Sequence, residues 1–305
     1  MIEKGAISIW YNQEEKKIQF LPSIDFTNVT INFHNSYKKI SSVAYGEIKA
    51  GIIYWIVPYT NFMVDLNSIV CEILSNDNLI HREIIEIKQK IALCISGVPR
   101  YYRENIDTFN RLKKEFKDID VFAHLWYDVD KDFNINNFIE LYQPKSIMVE
   151  KYDEIKDIFQ HIRDYNIKQM NIILPVLSMY YSIYKSNELK RLFMRANKER
   201  YKYSIRYRTD VRIINLDYNE LKDKLESYSI IIPMTNTDRT IVSDFFAVGE
   251  SSKMDIYSGV WNELKMIIEN SNKDYNDMAE YFLNEQLNNY DINYYKQKCD
   301  FELLR

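Results

Sequence analysis

The chain has 305 residues, of which 46% are hydrophobic and 28% charged, enough apolar material for one large domain or two ordinary ones and too little bias for extended disorder. Its formal charge of -4 excludes a general nucleic-acid binder, which needs a surplus of Lys and Arg to displace condensed counterions. Three cysteines, Cys71, Cys94 and Cys299, lie far apart without the spacing of a structural zinc site or a paired framework.

Charges at Glu3, Lys4, Glu14, Glu15, Lys16 and Lys17 interrupt the apolar residues near the start, so neither a signal-peptide core nor a membrane span can be drawn there. A cytoplasmic protein without an integral membrane segment is the expectation. Up to residue 88 the chain reads as short alternating segments: 6–11, 17–21, 29–34, 53–57, 68–74 and 83–87. Turn chemistry separates them, at Asn35-Ser36 and at Ser75-Asn76-Asp77-Asn78. This pattern predicts a small β-sandwich over 1–88, serving either as a glycan-binding module or as a packing and assembly module.

From residue 89 to 305 the pattern changes to apolar runs alternating with stretches of helical period, the sign of an α/β domain with a parallel or mixed sheet flanked by helices. Strands are expected at 91–95, 119–125, 146–149, 171–174, 203–207 and 229–232. Ile106, Phe109, Leu112 and Phe116 recur at spacings of three and four and mark a helix behind Pro99. Further helices are expected at 178–200, 254–270 and 277–289.

The first of these strands ends in Ser96-Gly97 and then presents Arg100 at a helix entrance. Ligands of open α/β sheets settle at the carboxyl ends of strands, where free amides and a helix N-terminus favour phosphate. Taken by itself, Ser-Gly reads as a tight turn. Ten basic residues lie between Lys185 and Arg212: Lys185, Lys190, Arg191, Arg195, Lys198, Arg200, Lys202, Arg206, Arg208 and Arg212. The helical ones read as a solvated face. Alternation instead puts Arg206 and Arg208 on one side of a strand with Asp210, where the row is either a phosphate site or an internal ion pair. Asp128-Val129-Asp130 reads as a solvated loop.

Ser96-Gly-Val-Pro-Arg100, Asp120-Val-Phe-Ala-His-Leu-Trp126, Ile205-Arg-Tyr-Arg-Thr-Asp210 and Asp244-Phe-Phe-Ala-Val-Gly249, followed by Met254 and Tyr257, form an ordered set. In order and spacing the set resembles a group of bacterial and viral glycosyltransferase-like proteins. The resemblance covers about 91–305 and leaves the N-terminal module outside it. It implies a GT-A-like, Rossmann-type fold, a nucleotide-sugar donor and a glycan or other hydroxyl acceptor, with no nucleic-acid partner. The oligomeric state stays open. Where metal-dependent members carry Asp-x-Asp, this chain has Arg208-Thr209-Asp210. Two alternatives follow: Asp210 ligates a divalent cation, Mn or Mg, or Arg206 and Arg208 neutralise the phosphates without one. Ser96, Gly97, Arg100, Arg206 and Arg208 would hold the donor. Glu150 would bind a ribose or sugar hydroxyl, Trp126 would stack on the acceptor sugar, and Asp244 would be the catalytic base or the N-cap of the following turn.

Overall fold

The computed structural model describes residues 7–12, 17–23, 25–34, 39–50, 52, 54–56, 68–86, 90–127, 129–130, 132–155, 157, 170–197, 199–234, 242–269 and 278–304. Contacts divide the chain into two units, Met1–Gln89 and Lys90–Arg305.

In the first unit, alternation makes strands. Val29, Ile31 and Phe33 are buried while Thr30 and Asn32 between them are half-buried, as a sheet with one covered face requires. Two antiparallel sheets result. One joins β1 (Ile7–Asn12), β2 (Lys17–Pro22) and β5 (Tyr54–Ile56). The other runs in the order β4 (Lys39–Ile48), β3 (Phe26–His34), β6 (Ser68–Ser75), β7 (Asn78–Glu86). Asn76 and Asp77 both take positive φ, 49° and 60°, in the two-residue turn joining β6 to β7, where short polar side chains tolerate that conformation. Asn35-Ser36 and parts of the segments 53–57 and 83–87 lie outside the described residues.

The second unit is a mixed α/β domain whose described strands form a central seven-stranded sheet flanked by helices. Its strands are β8 (Ile91–Gly97), β9 (Ile119–Trp126), β10 (Ser146–Glu150), β11 (Tyr203–Tyr207), β13 (Ile230–Met234), β14 (Phe246–Glu250) and β15 (Tyr294–Lys298). Across the sheet the order is β10-β9-β8-β11-β14-β13-β15, with β14 antiparallel to both neighbours and the other pairs parallel. The first three strands therefore step outward from β8, and the fourth returns to its other side. Two further strands, β12 (Val211–Asn215) and β16 (Asp300–Leu303), pair with each other.

Helices α1 (Ile106–Phe116) and α2 (Ile135–Tyr142) bury Phe109, Leu112, Phe138 and Tyr142 against Leu93, Ile95, Val121 and Ile205 on one face. The opposite face carries α4 (Met170–Asn197), α6 (Ser251–Tyr257), α7 (Val260–Glu269) and α8 (Met278–Asn289), packed on Trp126, Ile230, Ile232 and Ala247. Two short helices, α3 (Tyr152–Ile155) and α5 (Tyr218–Lys224), complete the unit.

Two expectations need correction. Residues 171–174 are not a strand but the start of α4, which spans 28 residues and contains Pro175. A short apolar run does not distinguish strand from helix by period, and a proline beside it reads as a stop. The helix expected over 254–270 is two, α6 and α7, broken at Ser258-Gly259, where both amides turn back onto the Met254 and Ile256 carbonyls. Strands β4, β12, β14, β15 and β16 were not anticipated from the pattern.

Candidate functional site

The point where successive strands depart to opposite sides of β8 lies between the carboxyl ends of β8 and β11, the position at which open α/β sheets take ligands. Gly97 closes β8 with φ 109°, a conformation that a side chain would strain, and the space beside its Cα is open. Ser96 is buried, and its hydroxyl has no hydrogen-bond partner among the described residues.

Register places Arg206 opposite Cys94 on β8, on the face beneath α4 and α6. Arg206 is only 1% exposed. Its Nη1 donates to the Tyr207 carbonyl at 2.6 Å and the Ser96 carbonyl at 3.4 Å, while Nε has no partner among the described residues. Burial pushes its pKa down to about 10, which still leaves a full charge at neutral pH.

Beyond Tyr207 the strand ends, and Arg208-Thr209-Asp210 form a turn that leads into β12. Strict alternation therefore does not carry Asp210 onto the row; the turn folds it back onto Arg208. Arg208 Nε donates to Asp210 Oδ1 at 3.0 Å and Nη2 to Oδ2 at 2.8 Å, a two-pronged pairing. Arg208 Nη1 also lies 3.6 Å from Asp244 Oδ2. Burial works against the guanidinium charge, but the Asp210 hydrogen bonds and the Asp244 charge outweigh it and hold the pKa above the ordinary arginine value.

Asp244 reaches this point because β14 runs backwards, so its amino end meets the carboxyl ends of the other strands. Gly249 lets that strand lie close: a Cβ there would stand 2.6 Å from the Ser229 carbonyl. The buried Tyr257 hydroxyl donates to the Ser243 carbonyl at 3.0 Å and fixes the corner before Asp244. Asp244 caps no described helix, and it is 8% exposed, like Asp210.

This donor set does not fit a divalent ion. Both Asp210 oxygens accept from Arg208, the next carboxylate faces the same guanidinium, and among the described residues no three His, Cys, Asp or Glu side chains gather as ligands. Asp128 lies outside the described residues.

No hydrogen bond or ion pair among the described residues joins Arg100, Trp126 or Glu150 to this group. Arg100 is exposed and lines an open depression of ≈ 310 Å³ together with Tyr101, Tyr102, Arg103, Glu104, Val129, Asp130 and Asp132. Trp126 is 2% exposed, stacked on Tyr181 at 5.7 Å and edge-on to His124. Glu150 Oε2 lies 2.6 Å from His124 Nε2, and that hydrogen bond holds the Glu150 pKa below the usual carboxylate value. Of the basic residues on α4, Arg191 and Arg195 are exposed as a solvated face requires, but Lys190 is fully buried and does not belong to it.

Asn105 was not anticipated as a site residue. Its side-chain amide donates to the Thr209 carbonyl at 2.8 Å and the Val211 carbonyl at 2.6 Å, and so pins the turn that carries Arg208 and Asp210. An asparagine just before an apolar helical stripe signals only an N-cap; its reach to a distant turn has no sequence signature.

No family model and no curated protein matches this chain. Among solved structures, mouse xyloside xylosyltransferase 1 in its apo form is similar over 69% of this chain and 85% of that one, at 7% identity and a TM-score of 0.38. A cysteine-to-serine mutant of a transferase is similar over 67% and 85%, at 12% identity and a TM-score of 0.29. Likeness at these scores carries no argument about fold or chemistry.

Proposed function

We propose that residues 89–305 are a GT-A-like glycosyltransferase domain that moves a sugar from a nucleotide-sugar donor to a hydroxyl of a glycan or other acceptor. One observation carries the reading: two arginines and two carboxylates, Arg206, Arg208, Asp210 and Asp244, meet where the first four strands, in spatial order 3-2-1-4, change direction. That order is the Rossmann-type half implied for the nucleotide by the motif resemblance.

The donor diphosphate would lie over the open turn at Gly97, with its charge met by Arg208 and by the field of the buried Arg206. In the transfer step the acceptor oxygen bonds to the anomeric carbon as the bond from that carbon to the diphosphate oxygen breaks. The electron pair leaves with the diphosphate, and the acceptor proton passes to the Asp244 carboxylate. Arg100 would contribute to donor binding from its depression, Glu150 would contact a sugar hydroxyl by way of its exposed edge, and Trp126 would back the acceptor region. The N-terminal unit would be a β-sandwich that packs or assembles, and the whole protein would act in the cytoplasm. No helix among the described residues is long and apolar enough to cross a membrane.

The test is a panel of nucleotide sugars with mixed glycan acceptors, read as release of nucleoside diphosphate. Release that disappears in Asp244→Asn supports transfer. A second reading, a binding protein without turnover, is favoured by the closed pairing of Arg208 with Asp210. Nucleotide binding without release would establish it, and the absence of both would end the glycosyltransferase reading.

A further inference from the structure

Resting on the diphosphate reading above, we propose that the Arg208 guanidinium is the permanent cation of this site, standing where a divalent ion would otherwise be held, with Asp210 and Asp244 as its holders rather than as metal ligands. The two prongs to Asp210, at 3.0 and 2.8 Å, engage both carboxylate oxygens, and Asp244 closes the other side at 3.6 Å. The side chains of Asp210 and Asp244 are 12% and 11% exposed, whereas Arg208 is 29% exposed, so of the three the arginine is the most accessible to a ligand.

Charge agrees with this assignment. Arg206 and Arg208 supply two positive charges against two negative ones, so the cluster is balanced without an ion. A dication coordinated at about 2.1 Å by these oxygens would stand beside a guanidinium already on them, with a second buried arginine beneath, and repulsion at that range in a partly dry pocket is large. Nη1 makes no hydrogen bond short enough to satisfy it on Asp244, which leaves it for a phosphate oxygen of a nucleoside diphosphate.

The experiment uses the full chain and two probes: Mn2+ alone, followed by its paramagnetic resonance, and whichever of UDP, GDP, CDP and ADP binds tightest, titrated with and without chelator. Wild type is expected to bind no Mn2+, and its diphosphate affinity should not respond to chelator. Arg208→Ala should lose roughly 10- to 100-fold in diphosphate affinity. It should also gain an Mn2+ site, because Asp210 and Asp244 then share no cation, and Arg208→Ala with Asp210→Asn should lose that site again. Should Arg208→Ala fail to fold, Arg208→Lys keeps the charge without the fork and is expected to weaken the diphosphate while binding no Mn2+.

Mn2+ binding by wild type that Asp210→Asn abolishes would overturn the proposal, as would a folded Arg208→Ala that gains no ion. Failure of all four diphosphates to bind would instead sink the donor reading, and the gain of an Mn2+ site in Arg208→Ala would still show the arginine in the ion's place.

Discussion

Asn105, at the entrance to α1, donates from Nδ2 to the carbonyl of Thr209, 104 residues further along the chain, at 2.8 Å. The same nitrogen reaches the Val211 carbonyl and the Tyr207 hydroxyl, and its carbonyl oxygen accepts from Thr108 Oγ1 at 2.7 Å. One buried amide thus ties the first helix of the second unit to the turn that sets the direction of Arg208 and Asp210.

Asn105→Ala leaves two buried carbonyls without their donor and should cost about 3 kcal/mol in urea unfolding. Because the turn loses its anchor, diphosphate affinity measured below the melting temperature should fall as well. A stability change within about 0.5 kcal/mol, the size of an ordinary surface effect, would show that the turn holds itself.

All three cysteines are buried thiols outside any disulfide, and burial pushes the Cys94 pKa up to about 11. A protonated, covered thiol does not attack an alkylating reagent. Mass spectrometry should therefore find Cys71, Cys94 and Cys299 unmodified after brief iodoacetamide treatment of the native protein and all three modified after denaturation without reductant. An intact disulfide after denaturation would contradict this.

His124 is fully buried between Ser182 Oγ, 2.7 Å from Nδ1, and Glu150, and burial lowers its pKa despite the carboxylate. Burial thus favours the neutral ring, with Nε2–H donated to Glu150, while the Ser182 hydroxyl has both Nδ1 and the His124 carbonyl, at 3.1 Å, within reach of its one hydrogen. In the unfolded chain histidine takes up a proton as pH falls through about 6.5, and the folded chain does not, so stability is complete above that value and declines below it. The lowered Glu150 pKa acts in the same direction at more acid pH, below its unfolded value of about 4.3. Urea unfolding of wild type should lose up to about 1.4 kcal/mol per pH unit from this residue between about pH 6.5 and 5.5. His124→Gln should flatten that part of the profile. Equal slopes in the two proteins would mean that His124 protonates in place.

How far the sequence could be read follows from where each residue gets its partners. Strands β8, β9 and β11 are short apolar runs bounded by polar residues, and the stripe Phe109, Leu112, Phe116 has a clear helical period, so their type is set by near neighbours. The Arg208-Thr209-Asp210 segment was legible as charged residues at a strand end, but the closed fork was not, because a turn rather than strand alternation directs Asp210. Strand β14 holds Asp244 at the site only because it runs backwards, and direction in a sheet is a tertiary fact. Trp126 and Glu150 sit at strand ends as their spacing indicated, yet what covers them comes from α4 and its Tyr181, far along the chain.

Lys190 shows the same limit most sharply, since its place among basic residues suggested solvent and it is 0% exposed. Its ammonium donates to Ser204 Oγ and Ser251 Oγ, each at 3.0 Å, and to Asp255 Oδ1 at 2.8 Å, three acceptors for three hydrogens. These acceptors lie on β11, two residues before Arg206, and on α6, so one side chain from α4 joins both elements. Asn187 Nδ2 also donates to Asp255 Oδ1 at 2.8 Å. Removing one partner of a buried pair typically costs 3 to 5 kcal/mol, because the other charge is stranded. Asp255 is 32% exposed and can rehydrate, which puts Lys190→Met at the lower end, about 3 kcal/mol. Asp255→Asn should cost at least as much, about 3 kcal/mol or more, because the ammonium it strands is 0% exposed and cannot rehydrate, although the two serines still accept from it. The double variant should be more stable than the sum of the single losses allows, by about 1 kcal/mol, because neither charge is then left alone. Urea unfolding of the four proteins measures that coupling, and strict additivity would mean that Lys190 is held by the serines and the helix packing, with no contribution from its ion pair.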